Sequence, residues 1–184
     1  KTLAQEGRRD DCLALMQALR ERGARPAIDP GWPGEGWTTR TRALMRDWIA
    51  QSALVLINEK ELSGLTGAGS VRDGLDAMLP ALPGDTVLVV KCGADGAIAL
   101  HRGRTHAAQS PGAEIFDTIG AGDAFNAAFL KGRSDAGLFF AATALFTLAA
   151  NGARMGSEAG LTYFVATLRA DDDHRSVPRV IGTA

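Results

Sequence analysis

Asp117-Thr118-Ile119-Gly120-Ala121-Gly122-Asp123 is the stretch that most narrows what this chain can be. Two carboxylates bracket a run of small residues, and the alanine- and phenylalanine-rich segment that follows, Ala124 to Lys131, reads as the first turns of a helix. Gly-Ala-Gly at a helix start leaves backbone N–H groups at the positive end of the helix dipole with no side chain in front of them. That is a seat for an anion. Asp123 stands at its rim, where the same dipole favours its negative charge. Such a carboxylate has a chemical use when a hydroxyl group lies between it and the anion. Asp123 then accepts the hydroxyl proton as the oxygen attacks a phosphoryl group held by the Gly120, Ala121 and Gly122 amides. A plain helix N-terminus with flexible glycines and a capping aspartate accounts for Gly122 and Asp123 but not for Asp117 as well.

The rest of the chain alternates strand and helix signals. Asp10 or Asp11 is placed to cap a helix whose Cys12, Leu15, Met16 and Leu19 recur at helical spacing, and Gly23 offers a left-handed stop. Arg25 to Ile28 is a short strand ending at Asp29, and Pro30 to Trp37 is a turn-rich loop. Thr38 or Thr39 caps a second helix with a Leu44, Met45, Trp48 and Ile49 stripe. Ala53 to Ile57 is then a continuous apolar run, as in a parallel strand buried on both faces. Asn58-Glu59-Lys60-Glu61 follows at the C-terminal end of that strand, the edge where open α/β sheets bind ligands. Ser70 caps a helix through Met78, Thr86 to Lys91 is the next buried strand, and Cys92 to Gly96 is a turn. Ala97 to His101 and Arg104 to Ala108, joined by Arg102-Gly103, form an antiparallel hairpin. Beyond the anion seat, helices are expected over about Gly122 to Lys131, Ser134 to Asn151 and Leu161 to Leu168. The alternation predicts a three-layer α/β/α sandwich with a mostly parallel sheet and an antiparallel edge hairpin. One domain over residues 1–170 and a flexible tail over 171–184 are expected.

Composition removes several function classes. A chain of 184 residues suits one well-buried domain better than two. A net charge of -1 provides no pull toward nucleic acid or an anionic membrane. The apolar stretch from Gly137 to Ala150 falls short of the ~20 residues that span a bilayer. Cys12 and Cys92 lack a metal spacing and read as reduced thiols of a cytoplasmic protein. His101, His106 and His174 have no third ligand at a metal spacing, and Trp32 and Trp37 are expected to pack their loop. The chain opens at Lys1 and enters a helix almost at once, as though an earlier part had been removed.

Asp117 to Asp123 resembles the second signature of the ribokinase-like (PfkB) carbohydrate kinases. Asn58-x-x-Glu61 resembles that family's N-x-x-E motif. Val90-Lys91-Cys92-Gly93-Ala94-Asp95-Gly96 is similar to its strand and G-x-x-G turn beside the nucleotide, with Lys91 where a hydroxyl residue is common. The resemblance implies an ATP-dependent phosphotransferase acting on a sugar hydroxyl, with Mg²⁺ and, beside Asp117, a K⁺ site. Asp123 would be the base, and Gly120, Ala121 and Gly122 the anion hole. Glu61 would act on Mg²⁺ through water with Asn58 supporting it, Lys91, Gly93 and Gly96 would border the phosphates, and Asn151 the adenine. Asp29 to Trp37 faintly resembles a D-x-N-x-R segment of some sugar kinases, with Gly31 and Pro33 in place of the asparagine and arginine. The match corresponds to the C-terminal part of a family member, so the N-terminal glycine-rich signature, most sugar contacts and the β-sheet lid are expected to be absent. The expected partner is a small sugar or nucleoside, with neither nucleic acid nor membrane, and a homodimer is the assembly to test. A nucleoside kinase and a non-catalytic nucleotide-binding module are the alternatives. A vitamin kinase is disfavoured because the anion loop lacks a cysteine.

Overall fold

The computed structural model describes residues 6–110 and 121–136. The expected helices over Leu161 to Leu168 and beyond residue 136, and the tail over 171–184, lie outside the described residues. The chain divides into two compact units, the first within Lys1–Gly93 and Ala97–Ala107, the second within Ala94–Gly96 and Ala108–Ala184.

The first unit opens with helix α1 (Arg9–Glu21). A short 3₁₀ turn, Glu6–Arg8, runs straight into it, so the cap position falls on Arg8, whose side chain makes no capping bond. Asp10 and Asp11 therefore do not cap α1 as expected; they lie in its first turn, where they complement the dipole. The chain leaves α1 through Gly23, whose N–H donates to the Arg20 carbonyl at 2.9 Å, followed by Ala24 to Leu19 at 3.0 Å. Strand β1 is only Ala27–Ile28, shorter than expected. Pro26 has no N–H for the ladder, and its carbonyl instead accepts from Ala53 at 2.8 Å.

Helix α2 (Thr39–Gln51) is capped by Thr38, which accepts from the Thr41 N–H at 3.2 Å. After it come β2 (Leu54–Asn58), α3 (Glu59–Thr66) and α4 (Val71–Met78), the last capped by Ser70 through the Asp73 N–H at 3.1 Å. Strand β3 (Val87–Lys91) leads through a 3₁₀ turn, Gly93–Asp95, into β4 (Ala97–His101) and β5 (Arg104–Ala108). The five strands lie in chain order in one sheet. β1, β2 and β3 are parallel, and β4 is antiparallel to β3.

Period-two alternation assigns the faces. Val55, Ile57, Leu88, Val90 and Leu100 join Met16 of α1, Met45, Trp48 and Ile49 of α2, Leu62 and Leu65 of α3, and Leu75 and Met78 of α4 in one apolar cluster. Their strand neighbours Leu54, Leu56, Val87, Val89 and Ala99 are equally buried, as in a sheet covered on both faces. A half-buried bidentate pair between Arg9 and Glu35, with Nη2 to Oε2 at 2.7 Å, ties α1 to the loop after β1.

In the second unit, helix α5 (Ala121–Ala136) is continuous. The expected break between Lys131 and Ser134 is absent, because Gly132 alone costs only about 1 kcal/mol in a helix interior and no proline is present to stop the ladder. Phe125 and Phe129, one turn apart, stack with ring centroids at 6.3 Å, and both are buried. Among the described residues, no helix is long and apolar enough to cross a membrane.

Candidate functional site

The parallel strands of the first unit end at one edge, and each brings a polar side chain there. Asp29 follows β1, Asn58 closes β2 and Lys91 closes β3. Asn58 and Lys91 are direct register partners. The Lys91 ammonium reaches across the end of β2 to Asp29, with Nζ and Oδ2 at 2.9 Å and side-chain exposures of 14% and 25%.

Asn58 is also the N-cap of α3. Its Oδ1 accepts from the Glu61 N–H at 2.9 Å, and Glu61 Oε2 accepts from the Asn58 N–H at 2.8 Å. This reciprocal pair is a capping box, and it fixes the Glu61 rotamer. Glu61 is only 5% exposed. Burial raises its pKa above the ordinary value; the hydrogen bond from Asn58 pulls it down, nearby Asp29 pushes it up and Lys91 pulls it down. The N-x-x-E spacing was itself the signal for the capping box, and sequence reading missed that local role.

The donor set fits a hydrated Mg²⁺ rather than a fully caged ion. No group of three or more His, Cys, Asp or Glu able to hold a metal occurs among the described residues. Mg²⁺ carried on phosphates keeps several waters and needs one or two carboxylates. Glu61 and Asp29 are of that kind, and Glu61 retains an oxygen beyond the one bonded to Asn58.

The turn after β3 contains Gly93 at φ 55° and Gly96 at φ 110°. A Cβ on Gly96 would lie 2.0 Å from the Ala108 carbonyl oxygen, so the hairpin itself demands this glycine. In the second unit, Ala121 and Gly122 open α5 and Asp123 is an exposed member of its first turn. Asn58, Glu61 and Lys91 are thus brought together with Asp29, which sequence reading had placed at a strand end and at the start of the D-x-N-x-R-like segment. Ala121, Gly122 and Asp123 meet at the start of α5. Asp117, Gly120 and Asn151 lie outside the described residues.

Trp37 packs on the apolar core as expected, and Trp32 meets it edge-to-face at 5.9 Å while remaining half exposed. Trp32, Lys60, Ser63 and Ser70 line a cavity of about 550 Å³ beside α3, which no motif indicated.

Known proteins share the family pattern and the fold of this chain. The pattern of the pfkB family carbohydrate kinases matches residues 1–160. Fructokinase from Escherichia coli is 28% identical over 138 residues, covering 74% of this chain and 45% of that protein. The crystal structure of fructokinase from Vibrio cholerae O395 with fructose, ADP and calcium ion bound has a TM-score of 0.65 at 25% identity, covering 78% of this chain and 48% of that one. Aminoimidazole riboside kinase from Salmonella enterica, complexed with aminoimidazole riboside and an ATP analog, shares the fold with a TM-score of 0.68 at 24% identity, covering 79% and 51%. The chain spans about half the length of these relatives. The family match takes in the three strand ends, the capping box and the opening of α5 alike. The chain therefore belongs to the pfkB family of carbohydrate kinases.

Proposed function

We propose that this chain carries the nucleotide and phosphate side of an ATP-dependent kinase that phosphorylates a sugar hydroxyl. The observation that carries the reading is the start of α5, where Ala121, Gly122 and Asp123 form the first turn of a 16-residue helix. Asp123 takes the proton of the attacking hydroxyl as it approaches the phosphoryl group. The amides of Gly120, Ala121 and Gly122 receive the negative charge that develops on the transferred group. Asn58 holds Glu61 in place, and Glu61 would hold a hydrated Mg²⁺ through water. When bound, Mg²⁺ neutralises phosphate charge. Lys91, Gly93 and Gly96 border the phosphates, Asn151 borders the adenine, and Asp117 belongs to a K⁺ site.

Fructose is the first acceptor to test, because fructokinases recur among the relatives. A nucleoside acceptor is the second reading, favoured by the structural likeness to aminoimidazole riboside kinase. The protein is proposed to be cytoplasmic, and a homodimer is its proposed assembly. The deciding experiment measures ADP release from Mg·ATP by the native full-length protein with a panel of sugars and nucleosides. Asp123→Asn is expected to abolish acceptor-dependent release while ATP binding stays nearly intact. Unchanged turnover in that variant would remove the base assignment. ATP binding without release for any acceptor would favour a non-catalytic nucleotide-binding module.

A further inference from the structure

The Lys91 side chain does not extend away from the sheet edge. It turns back over the end of β2 to Asp29, 2.9 Å away, with most of both side chains withdrawn from water. A lysine head is strongly hydrated and its stem has many rotamers, so a single geometry at this burial is dictated by its partner. The same ammonium acts electrostatically on Glu61, and Asp29 acts on Glu61 in the opposite sense. Lys91 is also the register partner of Asn58, the cap of the helix that carries Glu61 in its first turn. The capping box already locks Glu61 to the end of β2, so the two interactions together tie all three parallel strand ends and α3 at one place.

We propose that Asp29 and Lys91 form one positioning unit for the magnesium–nucleotide side of the site, in which Asp29 anchors Lys91 and the pair fixes the strand ends from which the capping box presents Glu61. This rests on the kinase reading and refines it. Lys91 acts through Asp29 and the strand ends rather than as a ligand of the phosphates. Removing Lys91 takes the ammonium away from the part-buried Asp29 carboxylate. Removing Asp29 releases the ammonium from its seat. Either loss disturbs the same element.

The test is calorimetric binding of Mg·ATP, and of metal-free ATP in chelator, to the native full-length protein and to Asp29→Asn, Lys91→Met, the double variant and Lys91→Arg. Each single change is expected to weaken Mg·ATP about 10-fold, and the double variant also about 10-fold rather than about 100-fold, the coupling typical of groups in one network. Metal-free ATP should shift less than about 2-fold in every variant, which a general loosening of the fold would not respect. Additive effects in the double variant would overturn the proposal. So would a Lys91→Met variant that loses metal-free ATP while Asp29→Asn binds normally, the pattern of a direct phosphate ligand. If Lys91→Met fails to fold, Lys91→Arg and Asp29→Asn still decide. Arginine should retain most of the Mg·ATP affinity, and an unperturbed Asp29→Asn would end the idea. Wild-type protein that binds Mg·ATP but releases no ADP with any acceptor would sink the kinase reading while the binding cycle still judges the pair. Wild-type protein that binds no Mg·ATP would overturn both.

Discussion

Two ion pairs of equal length close opposite edges of the sheet. Lys91–Asp29 and Arg102–Asp85 both measure 2.9 Å, yet the first has side-chain exposures of 14% and 25% and the second 68% and 78%. The first joins two strand ends across a third, next to a buried glutamate. The second ties the turn before β3 to the hairpin turn after β4, beside a depression of about 600 Å³ lined by Arg20, Arg25 and Arg102. Distance alone does not rank them. Water screens the exposed pair and charges an entropy cost for holding two long side chains, so such pairs contribute little. At the other edge the charges have lost most of their water, and each needs the other. Position in the fold, rather than the contact itself, separates a site element from a surface contact.

The largest expected effect lies at the buried pair. Lys91→Met should lower unfolding stability by about 2–3 kcal/mol in urea titration, below the range for a fully buried pair because both partners keep some water. A loss within the range of an exposed pair, under about 1 kcal/mol, would erase the distinction between the two edges.

A smaller effect should come from Glu61→Gln, which retains the capping-box geometry but removes the titrating group. Burial raises the folded-state pKa of Glu61 above the ordinary 4.5, so the folded chain holds the proton more tightly than the unfolded one. The sign follows directly. The protonated form's advantage is fully present below the unfolded value and is lost as pH rises through the raised folded value. The wild type should therefore lose stability relative to Glu61→Gln from about pH 4.5 upward, as read from melting temperatures across a pH series. A difference that does not change with pH would mean that burial leaves Glu61 with an ordinary carboxyl pKa.

The smallest effect should be at Arg102→Asn. It breaks the exposed pair, but it also places asparagine at a φ of 50°, a left-handed conformation that asparagine tolerates better than arginine. The melting temperature should hold or rise slightly, and the salt dependence of stability should weaken. A clear fall would show that the exposed pair contributes more than its setting suggests.

Local chemistry made much of the fold legible. Thr38 and Ser70 cap the helices at which their side chains were expected, and the hairpin occupies the expected spans around Arg102-Gly103. The runs at β2 and β3 were readable because a strand buried on both faces admits almost nothing polar. The misses also have local causes. Pro26 shortened β1, the 3₁₀ turn moved the cap of α1 onto Arg8, and a lone glycine was too weak to break α5. At the candidate site, Asp123 was picked out by its place at a glycine-rich helix start, and Asn58, Glu61 and Lys91 by resemblance to family motifs. Asp29 was read as a strand end and the start of a D-x-N-x-R-like segment, and its pairing with Lys91 was not foreseen because the two are remote in sequence.

What the sequence determined by itself is what depends on a few neighbouring residues: caps, periodicity, the tight hairpin, and a glycine-flanked aspartate opening a helix. Tertiary structure decided which of those pieces meet. Asp29 and Lys91 are 62 positions apart, and no local pattern pairs them. They meet because β1, β2 and β3 lie in chain order and run parallel, so that their C-terminal ends share one edge. Strand order follows from burying both faces of the sheet at once, a property of the whole chain and of no single segment.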